Sequence, residues 1–218
     1  MPVPLTLAAA LRRFDDAVGT AVAADRRLLL GLTGAPGAGK STLAERLVAR
    51  ARTAHGPASA VVLAMDGFHL ANALLTAIGR RDRKGAPDTF DDAGFAALLA
   101  RVRHPVAGRT VYAPRFDREL DEPIGSAVPI PAACPVVVVE GNYLLAADGA
   151  WPDAATCLDE VWHLALPTAD RQERLVARHV RHGMTPAAAR NWVLGPDEAN
   201  AVLIDASAAR ADAVVTVD

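Results

Sequence analysis

The sequence predicts an α/β fold in which a parallel sheet is covered by helices on both faces. Three observations carry this expectation. Apolar runs of strand length alternate with segments of helical period along most of the 218 residues. Four consecutive valines, Val136 to Val139, read as a central strand buried on both sides. A glycine-rich turn at residues 34–42 joins one apolar run, Leu28 to Thr33, directly to a helix.

The elements follow in order. Leu7, Leu11, Phe14, Val18 and Val22 recur at helical spacing, which predicts an amphipathic helix within residues 1–26. Arg12, Arg13, Asp15 and Asp16 interrupt that segment and argue against a secretory signal. Its apolar stripe can serve the core or a homodimer contact. The first strand and the glycine turn lead into a helix from Ser41 to about Arg50. Ala60 to Met65 is the next strand, ending at Asp66. Helices are expected near Leu70 to Ile78 and Ala93 to Val102, the second capped by Asp91 or Asp92. Residues 104–134 are rich in proline and predict short β pieces near 110–113 and 127–130. The valine strand runs to Glu140. Another strand, Glu160 to Leu166, precedes a basic helix that Thr168 could cap and Gly183 close. Thr185-Pro186 starts a further helix, and one from Pro196 to about Ala208 precedes a last strand, Ala213 to Val217.

Bulk properties bound the function. The chain is 51% hydrophobic, 22% charged and 5% aromatic, with mean hydropathy +0.17 and net charge −2. These values describe one folded domain without the basic footprint of a nucleic-acid binder or an anionic-membrane binder. No run of 18 apolar residues exists to span a bilayer. Cys134 and Cys157 lack metal-site spacing, and reduced thiols fit a cytoplasmic protein.

The glycine turn carries the chemistry. Gly34-Ala35-Pro36-Gly37-Ala38-Gly39-Lys40-Ser41-Thr42 matches G-x-x-x-x-G-K-[ST] in full. Such a loop curls so that successive N–H groups face phosphate oxygens. The lysine reaches the β- and γ-phosphates, and the Ser41 hydroxyl can coordinate Mg²⁺. The dipole of the following helix favours the same anion. A nucleoside triphosphate is therefore expected here.

Two further features point to phosphoryl transfer. Asp66 and Glu140 each close an apolar run and each precede glycine, at the sheet edge where open α/β folds bind ligands. One acid could deprotonate an acceptor hydroxyl, and the other could organise Mg²⁺. Arg171, Arg174, Arg178 and Arg181 follow at intervals of three and four residues along one helix. Such a stripe could neutralise a transferring phosphate and close over it. No guanine-reading N-K-x-D stretch is present.

These residues resemble the P-loop kinases of small molecules that include uridine kinase, type I pantothenate kinase and phosphoribulokinase. The likeness rests on Gly34 to Thr42, Asp66-Gly67-Phe68-His69, Val139 to Leu145 and the arginine helix, and it spans about residues 27–217. It is strongest to the nucleoside/nucleotide kinase, or fructose-transport-kinase, branch, echoed in Arg83 to Asp91 and Val111 to Asp117. The resemblance implies a three-layer P-loop NTPase fold with a five-stranded parallel core and an arginine lid at about 168–195. It also implies ATP and Mg²⁺ as cofactors, an acceptor-side insertion at about 80–130 and a small-molecule acceptor such as a nucleoside, sugar or pantothenate. Asp66 aligns with the acceptor base, Glu140 with the acid on the Mg²⁺ side, and Arg171, Arg174 and Arg178 with phosphate-binding lid residues. The loop that includes Tyr112, Arg115 and Asp117 falls where relatives hold their acceptor, Lys84 and Asp88 share in the family echo, and His69, one turn beyond Asp66, could bond an acceptor oxygen. The run Gly67 to His69 departs from the uridine kinase pattern, and Arg115-Phe116-Asp117 departs from the pantothenate kinase one. Arg81, Arg83 and Lys84 keep open a nucleoside monophosphate kinase. A nucleotide-responsive binding protein with no acceptor is the rival outside phosphoryl transfer. Asn200 could pack near the adenine or the lid.

Overall fold

A computed structural model describes residues 1–217. Six parallel strands form the central sheet in the order β1-β8-β7-β2-β6-β3. They are β1 (Val3–Thr6), β2 (Leu28–Thr33), β3 (Ala60–Ala64), β6 (Val136–Glu140), β7 (Glu160–Ala165) and β8 (Ala213–Thr216). Five of them, β8-β7-β2-β6-β3, are the expected core. The sixth corrects the sequence expectation: Val3–Thr6 pairs in parallel with β8, in register from Val3 opposite Ala213. The helix α1 therefore begins only at Leu7 and runs to Ala23, with the Thr6 hydroxyl accepting from the Ala9 N–H at its start. Helical period marked the helix, but a four-residue strand whose partner lies at the other end of the chain leaves no local signal.

Both faces of the sheet are covered. Phe14 and Val18 of α1, with Leu43, Leu47 and Val48 of α2 (Lys40–His55), pack on Leu30, Val136 and Val138. On the other side Phe95 and Leu99 of α4 (Asp92–Arg103) and Trp151 of α5 (Trp151–Thr156) pack on Leu29, Val137 and Val139. All four valines of β6 are fully buried, as a strand covered on both faces requires. Asp91 caps α4, accepting from the Gly94 N–H at 2.8 Å.

The proline-rich region is a longer hairpin than expected, β4 (Thr110–Asp117) with β5 (Glu122–Pro131). A two-stranded ribbon has only edges, so prolines that would break a central ladder are tolerated. Its base is tied to the sheet by Arg27, which is 7% exposed. The guanidinium donates to the carbonyls of Cys134 (2.8 Å), Val102 (2.6 Å), Pro131 (2.7 Å) and Ala132 (2.8 Å).

The C-terminal half contains α6 (Thr168–Arg181), α7 (Pro186–Trp192) and α8 (Glu198–Asp205). Two helices start differently from the sequence expectation. Thr168 is the first residue of α6 rather than its cap, and Pro167 precedes it without a side-chain bond. Pro196 lies inside a π-helical turn, Val193–Asp197, whose wider winding accommodates the missing N–H, so α8 starts two residues later. Thr185 caps α7 as expected.

Candidate active site

The glycine loop leaves β2 at the carboxyl edge of the sheet and turns into α2. Gly37 has φ +84°, and a β-carbon there would lie 2.8 Å from Leu175 Cγ and 3.0 Å from the Arg171 carbonyl oxygen of α6. Only glycine lets the loop lie this close to α6. Lys40 folds back over the loop, its ammonium donating to the carbonyls of Gly34 (2.8 Å) and Ala35 (3.2 Å). Desolvation pulls its pKa from the ordinary value down to about 8, against the attraction of Glu140 and Asp66. A largely desolvated cation held by two neutral carbonyls is matched to an anion. The residues therefore fit a polyphosphate.

Glu140 ends β6, the strand beside β2, and accepts a 2.7 Å hydrogen bond from the Ser41 hydroxyl. Burial, then the nearby Asp66 charge, pushes the Glu140 carboxyl upward, while Ser41 and Lys40 oppose the shift. Among the described residues no three His, Cys, Asp or Glu side chains form a preformed metal cluster. A hydroxyl and one carboxylate are the hard oxygen donors that suit Mg²⁺, which takes its remaining ligands from water and phosphate.

Asp66 sits in a single 3₁₀ turn, Met65–Phe68, at the end of β3. It lines one cavity of about 80 Å³ together with Pro36, Gly37, Lys40, Ser41, Glu140 and Arg178. The loop, both acids and one arginine of α6 thus converge. The cavity wall also includes Arg118 and Asn142, which the sequence reading did not single out. Asn142 lies within the family-like run after Glu140. Arg118 is in the hairpin turn, where charge alone marks nothing.

The arginine stripe divides. Positions seven apart differ by only about 20° around a helix, whereas those three apart differ by about 60°. Arg171 and Arg178 therefore share an inner face, and Arg174 and Arg181 are exposed. Arg178 reaches the cavity, and its burial there, with Arg118 nearby, depresses its pKa. Arg171 is 3% exposed and pairs with Glu198 of α8 at 2.5 Å, so it braces the helix instead of lining the cavity. His179, paired with Asp197 at 2.9 Å, makes a second brace.

The acceptor candidates also separate. His69 is half-buried between Phe90 and Phe116, with ring centroids 4.0 and 4.9 Å away. Its Nδ1 lies 2.8 Å from the Asp66 carbonyl oxygen. A carbonyl only accepts, so Nδ1 carries the proton and Nε2 is an acceptor in the neutral ring. Burial keeps that ring neutral by lowering its pKa. The Lys84 side chain is 7% exposed and donates to the Asn72 amide oxygen (2.7 Å) and the Asp121 carbonyl (2.5 Å). Asp88 pairs with Arg83 and Arg80 and faces a separate cavity of about 340 Å³. Tyr112 and Arg115 are exposed on the hairpin. None of His69, Lys84, Asp88, Tyr112 and Arg115 lines the phosphate cavity, although His69 is bonded to the turn that carries Asp66. Asn200 reaches the Gly85 carbonyl at 3.4 Å, away from the loop.

No protein-family model matches the sequence. The ATP-dependent kinase-like protein notR' of Aspergillus versicolor is 38% identical over 145 residues, 63% of this chain and 84% of that one. This chain belongs to the P-loop kinases. A provisionally named uridine kinase of Schizosaccharomyces pombe is 31% identical over 163 residues, 73% of this chain and 69% of that one. The crystal structure of a provisionally named fructose transport system kinase from Silicibacter sp. TM1040 superposes with a TM-score of 0.78 at 42% identity, covering 88% and 90% of the two chains. The P-loop kinase sheet and its glycine loop are those described above. No helix among the described residues is long and apolar enough to cross a membrane.

Proposed function

We propose that this P-loop kinase transfers the γ-phosphate of ATP to a hydroxyl group of a small metabolite, with Mg²⁺ as cofactor. The observation that carries the reading is the convergence of Lys40, Ser41, Glu140, Asp66 and Arg178 on one cavity. The kinase names of its relatives support ATP as donor.

In this reading Lys40 releases the loop carbonyls and binds the β- and γ-phosphates, beside the loop N–H groups. Ser41 and Glu140 would hold Mg²⁺, which would supply charge neutralisation to the triphosphate. Asp66 orients the acceptor hydroxyl and takes its proton as the acceptor oxygen attacks phosphorus. The bond to the β–γ bridging oxygen breaks, and that oxygen leaves on ADP. Arg178 offsets the charge of the transferring group. His69, whose Nδ1 is held by the Asp66 carbonyl, would accept from a second acceptor hydroxyl through Nε2.

A monophosphate acceptor would need an uncommitted cationic pocket. Arg81, Arg83 and Lys84 are instead paired with Asp121 and Asp88, which favours an unphosphorylated acceptor. The test is coupled ADP release across nucleosides, pentoses, hexoses, their phosphates and vitamins. Acceptor-dependent release is expected. ADP release that no metabolite changes would favour the nucleotide-responsive binding protein.

The lowered Lys40 pKa gives a signed pH effect. Below about pH 8 the ammonium is charged and can meet phosphate, and above it the free protein loses that charge. Affinity for a non-hydrolysable ATP analogue should therefore fall as pH rises from 7 to 9.5. Titration calorimetry should show the slope vanishing in Lys40→Met. Equal slopes in both proteins would remove Lys40 from the phosphate contact.

A further inference from the structure

The hairpin turn between β4 and β5 brings Arg118 over the turn that carries Asp66. The Arg118 Nη2 lies 3.6 Å from Asp66 Oδ2, and both side chains line the phosphate cavity. Resting on the phosphoryl-transfer reading above, we propose that Arg118 is a catalytic residue that leaves Asp66 and contacts the γ-phosphoryl group as it transfers.

Contacts from four residues, Asp117, Asp121, Glu122 and Pro114, hold the turn in place. Asp117 Oδ1 accepts from the N–H groups of Glu119 (3.0 Å) and Leu120 (3.1 Å), which fixes the turn. Asp121, at φ +53°, accepts from Arg81 through its carboxylate and from Lys84 and Asn72 through its carbonyl. The Glu122 carboxylate accepts from the Asn72 N–H at the start of α3 (Asn72–Ala77). At the other end, β4 lies directly against the Asp66 turn, where a β-carbon on Gly67 would sit 2.5 Å from the Pro114 carbonyl oxygen. A half-exposed arginine on an unanchored turn would sample many positions. This one starts from a restrained backbone aimed at the cavity.

Arg118 faces Arg178 across the cavity, while Lys40 approaches from the loop. Two guanidinium groups side by side repel each other unless an anion lies between them. In the resting protein Asp66 partly fills that role. When the acceptor hydroxyl occupies Asp66, the guanidinium is free for the equatorial oxygens of the phosphoryl group, where charge accumulates in transfer. Arg118 keeps its proton throughout, and the hydroxyl proton goes to Asp66. The hairpin thus supplies from the acceptor side a cation that α6 alone does not provide.

The test measures equilibrium binding of ADP, with and without aluminium fluoride, to the whole protein in magnesium buffer. No acceptor is needed, so the result stands apart from the search for acceptors. In the wild type, fluoride should tighten ADP binding. Arg118→Gln should hold ADP within about twofold of wild type yet lose at least about tenfold of the fluoride-dependent gain. Arg118→Lys should recover part of it. Asp117→Ala, which keeps the guanidinium but frees the turn, should show the same selective loss. A full fluoride gain in Arg118→Gln would overturn the proposal, as would a wild type in which fluoride adds nothing. Absence of any acceptor-dependent turnover in the metabolite screen would instead count against the kinase reading alone.

Discussion

Asp66→Asn is expected to cut acceptor-dependent ADP release by about 10²- to 10⁴-fold, the range for loss of a general base. Asparagine preserves shape and can still hydrogen-bond the hydroxyl, but it cannot take the proton. Asp66 lines the cavity from the turn after β3 and belongs to neither the glycine loop nor α2, so ATP affinity should change little. Steady-state kinetics with the identified acceptor, paired with calorimetry on an ATP analogue, separates the two effects. Turnover retained within about fivefold would remove Asp66 from proton transfer. Equal losses in turnover and ATP binding would instead show that its charge organises the whole cavity.

Arg27→Met is expected to destabilise the fold by roughly 3–5 kcal/mol, as when one member of a buried charged network is removed. Four backbone carbonyls lose a donor at once, from the end of α4, the end of β5 and the segment entering β6. For a chain of this size each kcal/mol lowers Tm by about 2–4 °C, so a fall on the order of 10 °C is anticipated. Arg27→Lys should recover only part of it, since one ammonium cannot reproduce the planar fork across four carbonyls. A scan of thermal unfolding by circular dichroism decides this. A shift below about 2 °C would mean that water replaces the guanidinium.

A smaller effect follows from the close approach of the hairpin. Gly67→Ala should cost about 1–3 kcal/mol, because the added carbon meets backbone rather than a side chain that can move aside. Chemical denaturation would show it as a lower midpoint. An unchanged midpoint would mean that β4 can shift without loss.

What was readable in the sequence is what short-range physics determines. The glycine loop was legible because its function demands particular residues at fixed spacing on a strand-to-helix turn. The meeting of Asp66 and Glu140 at the loop's edge of the sheet was legible because a carboxylate ending an apolar run stands out from its neighbours. The arginine helix was legible as a helix, yet its four charges read as one set. The helical angle sets Arg171 and Arg178 apart from the exposed pair, and only the position of Glu198 separates the bracing Arg171 from the cavity-lining Arg178. Lys84 looked like a ligand for the acceptor because nothing nearby in sequence announces Asn72 and Asp121 as its partners. Arg118 was invisible for the same reason. Its meaning depends on a hairpin turn docking against α3, a contact between segments far apart in the chain.

The pairing of Val3–Thr6 with Ala213–Thr216 stitches opposite ends of the described chain together at the outermost seam of the sheet. Contacts that close so large a loop come late in assembly, since the entropy of bringing distant segments together must first be overcome. The seam should be the last part to knit and the first to fray. Deuterium uptake at the amides of Val3, Leu5 and Thr6 should outpace that of Val136 to Val139, even though both strands belong to one continuous sheet.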